Sequence, residues 1–340
     1  MPLDLNRDII SVEPIGIGGN SQVYKVICRD TNCYALKVYY RDPGDNRDRL
    51  GAEFTALDWL WHNQVSDVPR PIAADYEKGC ALYEFIEGST AAVSVLTNDD
   101  IDGAVIFLTK LEKLAHFSSD SRRLPLAAEA CFSIKAILEN INDRLARLRG
   151  HGQRGAIFAD LDRFLENDFG HRLDDFTVWS IDKLDKAGLS FDLELDWRQR
   201  TLSPSDFGFH NAIKRDDGRL VFVDFEYFGW DDPAKMVVDL LLHPGMTLTD
   251  AQKQRFTKGI IQAFAHDPLL AGRIEIVYPL FGLKWCTILL NEFLPQHMRR
   301  RQFAGRVERQ DESVLAEQLA KTKSFLRKIS EEHERFPYIS

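Results

Sequence analysis

Three oxygen-bearing side chains flank a predicted hairpin in the second half of the chain. Asp206 and Asn211 lie at its mouth, and Asp224 follows its second strand. Carboxylate and amide oxygens are the hard ligands that Mg²⁺ prefers, so Asn211 and Asp224 are candidate metal ligands, with Glu226 as a further one. Asp206 is then left to accept a hydroxyl proton. The alternative is that each aspartate only stabilises a turn.

A lysine lies in the middle of an apolar strand near the N-terminus. Lys37 has apolar neighbours on both sides, and Glu53 follows on a predicted helix. A buried ammonium needs a carboxylate and favours an anionic ligand, so we expect Lys37 to contact nucleotide phosphates while Glu53 holds it in place. The alternative places Lys37 on the solvent face of an edge strand.

A glycine-rich turn, residues 16–21, opens the strand before that of Lys37. Glycines let backbone amides approach a phosphate closely, so the turn can fold over a nucleotide. It is neither a Rossmann fingerprint nor a P-loop, because a strand follows it and no Gly-Lys-Ser/Thr ending is present. A simple tight turn is the alternative. The candidate nucleotide-binding residues here are Gly18, Gly19, Asn20 and Ser21.

The elements that must position these groups are strands in the first quarter of the chain. β-Branched and aromatic residues at 21–27 and 34–40 predict a hairpin. Apolar positions from Leu50 to Trp61 recur at helical spacing, and a second strand pair is expected around residues 77–79. Residues 87–89, Glu-Gly-Ser, predict a hinge.

Beyond the hinge, helical periodicity predominates. Helices are predicted at residues 101–117, 127–149 and 157–169, and again from residue 249 onward. One strand-rich segment, residues 201–228, interrupts them and carries the three oxygen-bearing side chains.

Composition is that of an ordinary globular protein. The 340 residues are 44 % hydrophobic and 28 % charged, and the net charge of −9 argues against a dedicated nucleic-acid binder. The N-terminal residues contain acids and no apolar run, and the most apolar stretch, residues 277–290, is too short and too interrupted to span a bilayer. Five scattered cysteines indicate reduced thiols. We therefore expect a cytoplasmic protein with no membrane partner.

The order of these motifs resembles that of a known superfamily. A glycine-rich turn, a strand lysine, a helix glutamate, Asp-x-x-x-x-Asn and a second aspartate are similar to the protein-kinase-like pattern. More specifically, they resemble the aminoglycoside phosphotransferase and choline kinase family of small-molecule kinases. The resemblance covers most of the chain and is carried by residues 83–88, 201–206, 211–213, 222–227, 232–233 and 238–240.

The resemblance implies a bilobal α+β fold. Residues 1–87 would form an N-terminal nucleotide-binding lobe around a small antiparallel sheet. Residues 88–340 would form a larger, mainly helical lobe that holds the catalytic loop, residues 201–228, and the acceptor site.

The resemblance also implies roles for single residues. Asp206 would be the catalytic base, Asn211 and Asp224 would bind Mg²⁺, and Lys37 would contact the α- and β-phosphates while paired with Glu53. The backbone of two hinge residues would receive adenine, and one acid would brace the catalytic loop. These three residues are Glu84, Ile86 and Asp239.

The function implied is transfer of the γ-phosphate of ATP to a hydroxyl of a small polar molecule, such as a sugar, an aminocyclitol or aminoglycoside, or an amino alcohol. The sequence departs from the family where Pro204-Ser205 replaces the usual His-Gly, and whether His210 compensates stays open. A protein-modifying kinase, a nucleotidyl transferase and a nucleotide-binding regulator without turnover remain as alternatives. The oligomeric state stays open.

Three further features have two interpretations each. Four aromatic residues at near-helical spacing predict either a pocket wall, with Trp230 adding a cation–π face, or core packing. An arginine cluster predicts an anion site or a solvated helix end. Acids within residues 216–239 could attract a cationic substrate, although most of them are expected in any kinase of this group. The aromatics are Tyr278, Phe281, Trp285 and Phe293, and the arginines are Arg299, Arg300, Arg301, Arg306 and Arg309.

Overall fold

A computed structural model describes residues 9–17, 21–41, 47–91, 95–303 and 312–339. Antiparallel strands occupy the first part of the chain, and helices make up most of the rest. This arrangement confirms the predicted α+β fold with a small sheet and a larger helical part. The boundary at residue 87 stays a prediction.

The N-terminal part is a five-stranded antiparallel sheet in the order β1-β2-β3-β5-β4. Its predicted hairpin, its second strand pair and the helix that follows the hairpin are confirmed. The helix, α1 (Arg49–His62), buries Leu57 and Leu60 in the core. The strands are β1 (Ile9–Ile17), β2 (Ser21–Cys28), β3 (Cys33–Tyr39), β4 (Pro71–Asp75) and β5 (Cys80–Glu84).

The helical part is organised around one central apolar helix, α8. This helix packs against α3, α5, α6 and α10. The helices are α2 (Asn98–Phe117), α3 (Ile134–Arg149), α4 (Ala156–Arg163), α5 (Gly170–Lys186), α6 (Pro233–Leu242), α7 (Asp250–Ala263), α8 (Leu270–Leu289), α9 (Pro295–Phe303) and α10 (Glu312–Glu332).

Two predicted helix boundaries are wrong. The helix expected from residue 127 begins at Ile134, because Ser133 caps it and the preceding segment is irregular. In that segment the Ala127 amide donates to the Trp230 carbonyl at 2.9 Å, and the Ala130 amide closes a turn on the Ala127 carbonyl at 3.0 Å. The helix expected to end at residue 169 continues as α5, because a π-helical turn at Phe164–Phe169 joins α4 to α5 without a break.

Five short strands surround the predicted catalytic segment. The strands β7 (Thr201–Ser203) and β10 (Gly229–Asp231) pair with each other, and β8 (Ala212–Lys214) lies between β9 (Leu220–Phe222) and β6 (Ser89–Thr90). The predicted hairpin between β8 and β9 is therefore confirmed. Just before β6, Gly88 has φ +147°, and a Cβ there would lie 2.4 Å from the Lys214 carbonyl oxygen, so only glycine fits.

Among the described residues, one helical stretch is long and apolar enough to cross a membrane. It runs from Leu270 to Phe293, and 78 % of its most apolar window is buried inside the protein. The helical stretch is longer than the apolar segment 277–290 expected from the sequence, because Pro279 and Gly282 lie within α8 without ending it. All five cysteines are free thiols.

Candidate active site

Lys37 and Glu53 form a buried ion pair between the sheet and α1. The Lys37 Nζ lies 2.6 Å from the Glu53 Oε2, and the residues are only 7 % and 3 % exposed. β3 lies between β2 and β5, so Lys37 is not on an edge strand. Glu53 also accepts hydrogen bonds from the Tyr39 hydroxyl at 2.7 Å and from the Phe225 amide at 3.2 Å. The Glu53 carboxylate is thus held by three groups, two on β3 and one in the segment after β9.

Asp224 is the second carboxylate bound to Lys37. Its Oδ1 lies 2.9 Å from the Lys37 Nζ, and its backbone has φ +69°, a left-handed conformation that aspartate tolerates better than most residues. Burial lowers the pKa of Lys37, but the charges of Asp224, Glu53 and Glu226 raise it well above its usual value. Lys37 is therefore a protonated ammonium that links α1 to the segment after β9.

Glu226 lies behind this pair and is almost fully buried. Its carboxylate is 4.0 Å from the Lys37 Nζ and 3.7 Å from the Arg49 Nε. Glu226 therefore contacts two protein cations, which makes it a poorer candidate for a metal ligand than the more exposed Asp224.

A cavity of about 200 Å³ opens between the sheet and the strands β8 and β9. Its walls are mostly apolar side chains, with polar groups at particular points. The Glu84 amide donates to the Arg70 carbonyl at 2.8 Å, whereas the Ile86 amide makes no hydrogen bond to any described residue. Gly18, Gly19 and Asn20 lie outside the described residues. The predicted residues that line this cavity are Ser21, Lys37, Glu53, Glu84, Ile86, Asn211 and Asp224.

Asp206 and Asn211 are held together in the loop before β8. The Asn211 Nδ2 donates to the Asp206 carbonyl at 2.9 Å, and the Asn211 carbonyl accepts from the Val223 amide at 2.8 Å. Because the Asn211 amide nitrogen is used within the loop, its Oδ1 is left for a cation. Together with the Asp224 carboxylate it supplies hard oxygen donors, so these residues fit Mg²⁺.

Two histidines face the Asp206 carboxylate. The His210 Nε2 is 3.2 Å and the His243 Nε2 is 3.9 Å from the Asp206 Oδ1. Partial desolvation raises the pKa of Asp206, but the hydrogen bond and charge of His210, the charge of His243 and the Asn211 amide lower it to about 2. Burial lowers the pKa of His243 to about 4. Asp206, which is 40 % exposed, is therefore ionised near neutral pH.

Ser205, where the family pattern differs, contacts a buried charged cluster. It has φ +67°, and its hydroxyl accepts from the Lys235 Nζ at 3.2 Å. Lys235 is fully buried and also binds Asp231 at 2.7 Å and Asp239 at 3.1 Å. Burial lowers the pKa of Lys235, but these two carboxylates raise it by more, so the pKa lies above its usual value. Asp239 thus reaches the Asp206 loop through Lys235, as a bracing role requires.

Sequence reasoning missed Lys235 and His243. Part of the signal for Lys235 was present, since Asp239 lies four residues after it and so shares its face of α6, whereas Asp231 lies outside the helix, at the end of β10. His243 follows α6, and nothing in its sequence neighbourhood points to Asp206.

The predicted aromatic set packs in the core. Tyr278, Phe281 and Phe293 are at most 1 % exposed, and Trp230 is also fully buried. Trp285 lines a second cavity, of about 640 Å³, which Asp206 also lines, and no described residue lines both this cavity and the one next to Lys37.

The predicted arginine cluster is only partly described. Arg306 and Arg309 lie outside the described residues, the side chains of Arg300 and Arg301 are not described, and Arg299 is exposed.

A strand-rich lobe with a buried Lys-Glu pair, set against a loop that carries Asp206, Asn211 and Asp224, defines a kinase-like phosphotransferase fold. The sequence model of the group described as "Phosphotransferase enzyme family" matches residues 11–273. The chain belongs to this family. Comparison with curated protein sequences gave no match.

Solved structures share the fold at low identity. Choline kinase LicA from Streptococcus pneumoniae is 16 % identical with a TM-score of 0.58, and 95 % of each chain is covered. A choline/ethanolamine kinase family protein from Mesorhizobium loti is 15 % identical with a TM-score of 0.56, covering 95 % of this chain and 91 % of that one. Spectinomycin phosphotransferase APH(9)-Ia, in complex with ADP and spectinomycin, is 12 % identical with a TM-score of 0.58, and 92 % of each chain is covered.

Proposed function

We propose that this protein is an ATP- and Mg²⁺-dependent kinase that transfers the γ-phosphate to a hydroxyl of a small polar molecule. The observation that carries the proposal is the position of Asp206. It lines the larger cavity. Asn211, five residues later, donates a hydrogen bond to the Asp206 carbonyl oxygen and lines the smaller cavity with Lys37 and Asp224. A proton acceptor thus lies at the junction of a nucleotide site and an acceptor site.

The smaller cavity is proposed to bind ATP. Its apolar walls suit a purine, and the Glu84 carbonyl and the Ile86 amide would receive the ring edge. Lys37 would contact the α- and β-phosphates, and the backbone amides of residues 18–21 are proposed to contribute to phosphate binding. Asn211 and Asp224 would hold Mg²⁺, which when bound neutralises phosphate charge.

Asp206 is proposed to act as the base. The acceptor oxygen forms a bond to the γ-phosphorus, the bond from phosphorus to the β,γ-bridging oxygen breaks, and ADP leaves with the electron pair. The hydroxyl proton passes to the Asp206 carboxylate, which its low pKa keeps free to accept it. Positioning and charge neutralisation supply most of the rate acceleration in such reactions, so few catalytic groups are needed.

A small-molecule acceptor is favoured over a protein. Two structurally similar proteins are named for choline and for spectinomycin. We also propose that the protein acts in the cytoplasm and that residues 1–87 and 88–340 form its two lobes.

The test is ADP release with a set of polar hydroxyl compounds, with Asp224→Ala as the inactive control. We expect acceptor-dependent ADP release that Asp224→Ala abolishes. Transfer of phosphate or nucleotide to the protein itself, seen by mass spectrometry, would contradict the proposal. So would the absence of any rise in melting temperature with ATP and Mg²⁺, because a bound ligand must stabilise the native state.

A further inference from the structure

The larger cavity, next to Asp206, is lined by basic side chains from three separate parts of the chain. Arg47 precedes α1, Arg144 and Arg147 lie one turn apart on α3, and Lys284 lies on α8. Lys284 is 3 % exposed and lies between the apolar residues Leu283 and Trp285 of α8. Placing a cation there is costly unless an anion compensates it, so its presence requires an explanation.

One carboxylate within the cavity is shared by three of these cations. Glu129 lies 2.8 Å from the Arg144 Nη2, 3.4 Å from the Lys284 Nζ and 3.8 Å from an Arg47 nitrogen. Burial raises the pKa of Glu129, but Lys284 and Arg144 hold it well below its usual range. A single negative charge therefore faces three positive ones.

Arg147 adds a fourth positive charge. Within the described part of the chain, no carboxylate oxygen lies within 4.0 Å of its guanidinium, and its Nε donates only to the Asp143 carbonyl at 3.3 Å. Desolvation and the neighbouring Arg144 lower the pKa of Arg147, so the ionised guanidinium gains from an added anion.

The other acids that line the cavity do not balance this excess. Asp239 is bound to Lys235, which also lines the cavity, and Asp206 is bound to His210. The acids Asp216 and Asp217, which suggested a cationic substrate, lie in the exposed turn between β8 and β9. The residues that surround Asp206 therefore do not favour a cation.

We infer that the acceptor of this kinase carries an anionic group, a phosphate or a carboxylate, which binds to Arg144, Arg147 and Lys284 while its hydroxyl faces Asp206. This inference rests on the proposed function. The planar guanidinium fork matches the two oxygens of either anion, and such charge-assisted bonds are stronger than neutral ones. A cavity of about 640 Å³ is within the usual range for small-molecule sites.

The test compares four sugars that share a pyranose ring and carry different charged groups. Glucose, glucosamine, glucuronate and glucose 6-phosphate are neutral, cationic, carboxylate and phosphate versions of one hydroxyl framework. Two measurements are made with each: ADP release with ATP and Mg²⁺, and calorimetric binding to protein saturated with ADP and Mg²⁺. We expect the anionic compounds to bind, or to be phosphorylated, at least tenfold better than the other two. Glucuronate and glucose 6-phosphate then distinguish the two anions.

Variants locate the binding to the cavity. Arg147→Gln and Arg144→Gln should weaken anion binding about tenfold or more, as expected for loss of a charge-assisted hydrogen bond, and leave the KM for ATP unchanged. Arg149→Gln is the matched control, because Arg149 is exposed on the same helix and does not line the cavity.

The outcomes distinguish failure of the anionic-acceptor inference from failure of the proposed kinase function. Preference for glucose or glucosamine, absence of anion binding to nucleotide-loaded protein, or anion binding that both variants leave unchanged would overturn the inference. Failure of the proposed function is a different result, in which ATP and Mg²⁺ neither bind nor yield ADP with any compound.

Discussion

The imidazole rings of His210 and His243 stack with their centroids 3.9 Å apart and their planes 8° from parallel. Each ring also directs its Nε2 toward the Asp206 carboxylate. Burial, followed by the charge of His210, lowers the pKa of His243, so the His243 ring is neutral near pH 7. The stacked pair therefore contacts the Asp206 carboxylate while His243 carries no charge near neutral pH.

The first prediction concerns acid stability. The pKa of His243 is lowered to about 4 in the folded protein, so between this value and the ordinary one of 6.5 the unfolded state binds more protons. Protonation of His243 in the unfolded state therefore has no effect on the free energy of unfolding well above pH 6.5 and lowers it as the pH falls from 6.5 toward 4. We expect its share of the loss in unfolding free energy between pH 7.5 and 5.0 to be about 2 kcal/mol. In urea denaturation, the loss of unfolding free energy between pH 7.5 and 5.0 should be smaller for His243→Gln by this amount. A loss equal to that of the unaltered protein would show that His243 does not have a lowered pKa.

The second prediction concerns Lys37. Lys37→Met leaves Glu53, Asp224 and Glu226 without their shared cation, so we expect the free energy of unfolding to fall by about 3 kcal/mol or more. ATP and Mg²⁺ should no longer raise the melting temperature. Lys25→Met on the neighbouring strand is the control, because its ion pair with Glu87 is exposed and should contribute less than about 1 kcal/mol.

The third prediction concerns the metal. Asp224→Asn removes a charged ligand but leaves Lys37 paired with Glu53, so we expect a folded protein that needs at least tenfold more Mg²⁺ for half-maximal ADP release. Chelation with EDTA should abolish ADP release by the unaltered protein. Asp217→Asn, in the exposed turn after β8, should leave the Mg²⁺ requirement as it is. An equal requirement in all three proteins would argue against a metal at Asp224.

The fourth prediction concerns the cluster beneath Ser205. Lys235→Met leaves Asp231 and Asp239 buried without a cation, and we expect a loss of about 3–5 kcal/mol in the free energy of unfolding. Lys183→Met serves as the comparison, since its ion pair with Glu275 is partly exposed and should be worth less than about 1 kcal/mol. If chemical denaturation gave the same loss of unfolding free energy for Lys235→Met and Lys183→Met, Lys235 would not be the centre of a buried network.

Local patterns in the sequence were sufficient for the groups that define the family. Lys37 and Glu53 lie on a strand and the next helix, and Asp206, Asn211 and Asp224 surround one hairpin, so turn chemistry and periodicity bring each set together. The element types followed from the same patterns. The helix prediction was wrong for residues 127–133, because apolar residues in an irregular segment, here hydrogen-bonded to β10 through Ala127, can have the spacing of a helix.

The rest of the site depends on contacts between distant segments. Glu129, Arg144 and Lys284 meet only because α3 packs on α8, and the sequence marked Lys284 only as an interruption of an apolar stretch. His243 reaches Asp206 through the path of α6. Such contacts are set by tertiary packing, which cannot be predicted from the local spacing of apolar residues in the sequence.

The pairing of β6 with β8 has a mechanical consequence. Ser89 is in register with Lys214 and Thr90 with Ile213, while Gly88 just before them has φ +147°, a conformation that glycine adopts readily. A rotation of the sheet about Gly88 would move a strand that begins one residue after Asn211. We therefore expect the distance between Asn211 and Asp224, and with it the affinity for a metal ion, to depend on the angle between the sheet and the helices.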